Sequence, residues 1–183
     1  AHGHGMLVHV DGARIANAVA ALDCDLHAAT IGVGVDVMSF GGTKNGMMYG
    51  EAVVFVRPEL ATRALHVRKQ LAQLPSKARF ISAQLLALLQ DDLWLQLAHH
   101  ANDMAALLAE QVVGIPGVDV ARTPEVNSVF ATLPRDAIER LQQWCYFYMW
   151  DENAAEVRWM TAWDTTVDDV EAFAAGVRAA LAP

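Results

Sequence analysis

Lys44 stands in Ser39-Phe40-Gly41-Gly42-Thr43-Lys44-Asn45-Gly46, directly after the apolar run at residues 35–40. Glycines on both sides leave its amine open to a bulky partner, and Thr43 and Asn45 offer local hydrogen bonds. A lysine so uncluttered suits a Schiff base with an aldehyde. Asp11, in His9-Val10-Asp11-Gly12-Ala13-Arg14, closes another apolar run 33 residues earlier. One right-handed crossover between parallel strands takes about 30 residues. Both side chains are therefore expected at one carboxyl edge of a sheet, where open α/β sheets bind ligands. Each residue alone has a plainer reading: Asp-Gly after a strand makes a turn, and a lysine in a glycine-rich turn points to water. At this spacing, each behind a buried strand, the pair is read as chemistry.

A lysine and a carboxylate at one edge fit pyridoxal phosphate. The amine takes up the aldehyde, and the carboxylate keeps the pyridine nitrogen protonated, so that the ring withdraws electrons from the substrate's Cα. Gly12 and Ala13 are small enough for a flat ring to approach the backbone. Arg14, three residues beyond Asp11, offers a two-pronged grip for a substrate carboxylate. Arg158 lies in the apolar Val157-Arg158-Trp159-Met160, where an arginine is costly unless an anion meets it. An edge-strand arginine with its head in water is the other reading. His9 shares a strand face with Asp11 and reads as a satisfied core histidine.

The elements that must hold these residues follow from periodicity. Residues 7–10, 35–40 and 52–56 read as strands, the first buried on both faces. A helix is expected over 13–22 and a short helical turn over 26–31, giving the βαβ pattern of a mainly parallel sheet. Residues 59–74 and 83–113 read as helices, with Asp91-Asp92 a break in the second. Gly114-Ile115-Pro116-Gly117 is the strongest punctuation. Short strands at 118–121, 128–133, 144–149 and 156–161 and helices at 136–143 and 167–181 follow it. The fold class is thus α/β: a large-domain portion, residues 1–113, with a small α/β domain at 114–183. The aromatic run Trp144–Trp150 reads as packing within the small domain.

Composition limits the partners. Hydrophobic residues make up 54% of 183 residues, ample for a core, and the net charge of −8 argues against a nucleic-acid surface. Two cysteines, Cys24 and Cys145, make neither a disulfide framework nor a metal site and read as reduced thiols of a cytoplasmic protein. No apolar stretch is long enough for a membrane helix. His2 and His4 lack a third ligand, so no metal is expected. The opening Ala1-His2-Gly3-His4-Gly5 runs straight into an apolar segment and reads as a connection cut in mid-course. The chain is therefore expected to be a piece of something longer.

The segments His9-Val10-Asp11-Gly12-Ala13-Arg14-Ile15-Ala16-Asn17-Ala18, Ser39-Phe40-Gly41-Gly42-Thr43-Lys44-Asn45-Gly46 and Gly50-Glu51-Ala52 resemble the low-specificity L-threonine aldolases, fold-type-I pyridoxal-phosphate enzymes. The similarity continues to the end of the chain through Val157-Arg158-Trp159-Met160-Thr161-Ala162-Trp163-Asp164-Thr165-Thr166, and covers about the second half of a family member. The resemblance implies cleavage of a small β-hydroxy amino acid, L-threonine or L-allo-threonine, to glycine and acetaldehyde. Lys44 would carry the cofactor, Asp11 would pair with its ring nitrogen and Ala13 would lie against one ring face. Arg14 and Arg158 would hold the substrate carboxylate.

The resemblance also implies a homodimer or homotetramer with sites at subunit interfaces. There Arg79, in a cluster with Arg68, Lys69 and Lys77, would approach the cofactor phosphate across the interface; a solvated helix face is the other reading of that cluster. Two parts of such a site, the phosphate loop and the aromatic residue stacking on the second ring face, have no candidate here. In the family both lie upstream. The chain alone is thus expected to bind the cofactor poorly and not to turn over. Another pyridoxal-phosphate lyase or transaminase, or a non-catalytic proteolytic fragment, are the alternatives.

Overall fold

β1 (His9–Gly12) and β2 (Val37–Gly41) pair in parallel, with Asp11 opposite Ser39 and Gly12 opposite Phe40. The crossover between them carries α1 (Ile15–Leu22) and α2 (Leu26–Ala29), as the spacing of the sequence predicts. β3 (Glu51–Phe55) joins the other side of β2 in the antiparallel sense. Residues 42–50 are too few for a parallel return, which takes a dozen or more. In this computed structural model, which describes residues 1–182, the chain divides into two compact units, Ala1–Leu97 and the residues from Ala98 onward.

In the first unit α1 packs against β1 and β2 and buries Ala16, Val19 and Ala20, spaced as one helical stripe. The strands contribute Met38 and Phe40 to the same core, and the Phe40 ring meets Trp94 at 5.8 Å. The opposite sheet face is open. The expected strand at 7–10, buried on both faces, is corrected here: β1 starts at His9, Leu7 is 53% exposed, and His9 and Asp11 both face outward. β1 is an edge strand of a three-stranded sheet, so it has a neighbour on one side only.

The base of β2 is tied by Asp36, whose side chain is only 4% exposed. Its Oδ2 accepts from the Val8 N–H at 2.7 Å and from His2 Nε2 at 2.8 Å, and Arg57 stands 3.6 Å from Oδ1. The Val8 N–H, then His2, hold this carboxyl below the usual carboxylate range. A depressed folded-state value means that the carboxylate stabilises the fold above the unfolded value, near pH 4, and that this contribution is lost as pH falls through the folded value. Asp36→Asn is expected to lower the unfolding midpoint at pH 7 and to flatten its decline below about pH 4, which thermal unfolding across pH measures. A decline as steep as in the unsubstituted chain would contradict the role.

The expected helix over 59–74 is shorter: α3 is Ala64–Gln70, and Ala72 takes a left-handed φ of 57° that stops it. α4 (Ala78–Leu89) and α5 (Leu93–Val112) are separated at the acidic pair, where Asp91 and Asp92 have φ of 52° and 56°. Aspartate tolerates this region better than most residues, which is why the break falls there. The division between the units lies within α5, and residue 113 follows the end of that helix.

The second unit is a sheet in the order β4-β5-β7-β6, antiparallel throughout. β5 (Ser128–Thr132) and β7 (Glu156–Met160) alternate buried and half-buried residues, so Val129, Ala131, Val157 and Trp159 form one inner face. α6 (Arg135–Trp144) adds Ile138 and Leu141, and α7 (Val167–Leu181) adds Val170, Ala174 and Val177. Each buried valine, leucine and isoleucine among these contributes about 1.5–3 kcal/mol by leaving water. A capping box between Thr166 and Asp169 starts α7. β4 is confined to Asp119–Val120, and the strand expected at 144–149 is instead β6, Tyr148–Asp151. Trp144 belongs to α6, where its ring stacks on Phe173 at 6.1 Å. Among the described residues no helix is long and apolar enough to cross a membrane.

Candidate functional site

Asp11 is the third residue of β1, and Lys44 lies in the 3-10 turn Thr43–Asn45 that follows β2. Because the two strands are adjacent and parallel, both residues stand at the carboxyl edge of the sheet. Both are exposed. The carboxyl edge thus carries an exposed carboxylate from β1 and an exposed amine from the turn after β2.

The carboxylate is oriented by its surroundings. The Ala13 N–H donates to Asp11 Oδ1 at 3.0 Å, and the Ser39 hydroxyl reaches the same oxygen at 3.5 Å. Ser39 in turn accepts from the Gly12 N–H at 3.3 Å. Both hydrogen bonds fall on Oδ1, and among the described residues none falls on Oδ2, which leaves that oxygen for a ligand N–H. Ser39 went unremarked in the sequence because only the strand register puts it opposite Asp11.

The glycines around Lys44 have a tighter reason than open access. A Cβ on Gly41 would stand 2.3 Å from the Ala13 carbonyl oxygen, so the turns after β1 and β2 touch backbone to backbone. Gly50 has a φ of 123°, which only glycine adopts readily. Asn45 is buried and reaches beyond its own turn, donating to the Trp94 carbonyl at 2.8 Å. Glu51, at the start of β3, accepts from the Gly42 N–H at 2.8 Å and the Thr43 N–H at 3.3 Å.

Of the other expected residues, Ala13 is half-buried beside Asp11, and Arg14 is the N-terminal flanking residue of α1. Arg79 lies in the first turn of α4 and is exposed, without an ion pair among the described residues. Arg68, from the same basic cluster, donates to the Gln73 carbonyl at 3.0 Å. His9 shares the open face with Asp11 and is exposed, contrary to the core role expected of it. His2 is engaged with Asp36.

Arg158, on β7 of the second unit, stands between Phe130 and Tyr148 on its neighbouring strands. Its guanidinium carbon lies 4.8 Å from the Trp150 ring centre and 6.0 Å from that of Tyr148. Its Nε is buried and makes no hydrogen bond among the described residues, and the guanidinium lies against aromatic faces. The aromatic run therefore does more than pack. Phe147 is buried against Trp159 and Phe173, while Tyr148 and Trp150 are exposed and frame Arg158.

The donor set suits pyridoxal phosphate on its electronics: an amine for the aldehyde and an open carboxylate oxygen for the ring N–H, both on one sheet edge. Comparisons with known proteins point the same way. The family model described as beta-eliminating lyase matches residues 1–135. A low specificity L-threonine aldolase of Pseudomonas aeruginosa is 44% identical over 176 residues, covering 95% of this chain and 50% of that protein. A low specificity L-threonine aldolase of a Pseudomonas species is 42% identical, covering 97% of this chain and 51% of that one. A solved Leishmania major threonine aldolase superposes with a TM-score of 0.84 at 29% identity, over 99% of this chain and 54% of its own. The chain spans about half the length of the curated relatives it matches.

Proposed function

Because this chain belongs to the beta-eliminating lyase family, we propose that it forms part of a pyridoxal-phosphate-dependent aldolase. The reaction we infer is cleavage of L-threonine or L-allo-threonine to glycine and acetaldehyde; the similar Pseudomonas proteins are named low specificity L-threonine aldolases. The observation that carries the reading is Asp11 and Lys44 at the carboxyl ends of adjacent parallel strands, with one Asp11 oxygen left open.

Lys44 Nζ would hold the cofactor through its aldehyde. Asp11 Oδ2 accepts from the pyridine N–H and keeps that proton in position, because an adjacent negative charge stabilises the cation. Ser39 and the Ala13 N–H fix the other oxygen, so the carboxylate does not turn away. Ala13 presents a small surface to one ring face. Arg14 and Arg158 each offer a planar fork to the amino-acid carboxylate. When bound, the cofactor supplies the electron sink that lets the Cα–Cβ bond break. Arg79 meets the cofactor phosphate in a homodimer or homotetramer. Exposed Leu65, Leu71, Phe80 and Leu86 on α3, α4 and the segment between them support such assembly. The 183 residues alone bind the cofactor weakly and do not turn over; the open sheet face around Asp11 supports this.

The test uses a full-length protein carrying this segment, supplied with pyridoxal phosphate and L-threonine. Equal amounts of glycine and acetaldehyde are expected. Ammonia with a 2-oxo acid in their place would mean elimination, a 2-oxo acid without ammonia would mean transamination, and either would overturn the reading. In the same protein Arg158→Gln is expected to raise the KM for L-threonine by about tenfold or more while leaving cofactor affinity nearly unchanged. A KM within twofold would remove Arg158 from the carboxylate site.

A further inference from the structure

The turn that carries Lys44 is short and makes few bonds of its own. Within it the Asn45 and Met47 N–H groups donate to the Gly42 carbonyl, at 3.0 and 3.1 Å. The rest of its order comes from outside. Asn45 is anchored in the core at Trp94, and the Thr43 hydroxyl donates to the Gly50 carbonyl at 3.3 Å. The Met48 N–H donates to Gln84 Oε1 at 2.9 Å, and Glu51 supplies a further tether. It stands opposite Gly41 in the β2–β3 ladder, at the mouth of the turn. Its two carboxylate oxygens take one N–H each: Oε2 from Gly42 and Oε1 from Thr43.

These two donors open the turn, and Gly42 is buried. A charged acceptor spanning both is stronger than a neutral one and fixes an angle as well as a distance. Glu51 itself is exposed and adds nothing to the core. Its loss would free the turn to rock while leaving the core intact. The loss of Asn45 would instead leave a hole and an unpaired carbonyl.

We propose that Glu51 is a positioning residue for Lys44: by clamping the Gly42 and Thr43 N–H groups it aims the lysine amine at the cofactor. This rests on the reading of Lys44 as the cofactor-holding residue, and the test separates the two. A full-length protein carrying this segment is exposed briefly to pyridoxal phosphate and reduced with borohydride. Label is then quantified by peptide mass at Lys44, Lys69 and Lys77, the three lysines of this chain.

Glu51→Ala is expected to slow labelling of Lys44 about tenfold, in line with the loss of charge-assisted bonds. Glu51→Gln keeps one acceptor oxygen and slows it about threefold. Labelling of Lys69 and Lys77 and the unfolding midpoint stay as in the unsubstituted protein. Lys44 labelling within twofold of the unsubstituted rate overturns the proposal, as does an equal change at all three lysines, which marks a merely structural role. If Glu51→Ala fails to fold, Glu51→Gln decides by the same criteria. Absence of label on Lys44 in the unsubstituted protein overturns the lysine assignment itself and this proposal with it.

Discussion

Lys44→Ala in a full-length protein is expected to abolish the visible absorption gained on adding pyridoxal phosphate and to lower turnover by roughly 10⁴-fold. The size of the effect follows from the two tasks given to one amine: it holds the cofactor, and it must give way to the substrate's amine. The fold should survive the change. Lys44 is exposed, and the bonds that shape its turn run through Gly42, Thr43 and Asn45 and none through its side chain. An unchanged unfolding midpoint beside lost absorption would show that the chemistry, and no wider structure, went with the amine. Retained absorption would contradict the assignment.

Asp11→Asn should cost less, with turnover falling by roughly 10²–10³-fold. The neighbouring charge shifts a proton equilibrium by one to three pKa units, and the ring nitrogen loses that support. Asparagine matches aspartate in size and can still accept from the Ala13 N–H, so the turn after β1 should hold. Its amide would then face a ring N–H with a donor. The expected signature is weaker cofactor binding together with slower turnover. Ser39→Ala, which removes the longer of the two bonds to Oδ1 together with the acceptor of the Gly12 N–H, should fall well short of it. Turnover within threefold of the unsubstituted protein would remove Asp11 from the ring nitrogen.

Much of this site is legible along the chain because it is built from local rules. Asp11 closes one apolar run and Lys44 lies in the turn after another, and the crossover length alone brings them to one edge. α7 begins where Thr166 and Asp169 say it should, and α4 and α5 separate at an acidic pair that tolerates left-handed backbone. The rest depends on register and reach. Ser39 meets Asp11 only through strand pairing, and Glu51 clamps the lysine turn only because β3 folds back antiparallel. Periodicity carries neither fact, although an acid directly after Gly50 beside the lysine turn was a usable hint. The open face of β1 was misread for a different reason. An apolar run promises a buried strand only where something lies over it, and His9 and Asp11 face outward in this chain. Arg158 was suspected for its cost in an apolar strand. Its aromatic frame depends on the position of β6, which begins later than the run of aromatic residues does.

The most direct test of the account is where pyridoxal phosphate attaches. A full-length protein carrying this segment is saturated with the cofactor, reduced with borohydride and mapped by peptide mass spectrometry. The account predicts one dominant pyridoxyl group, on Lys44. A label on Lys69 or Lys77, or one spread over several lysines with Lys44 bare, would contradict it.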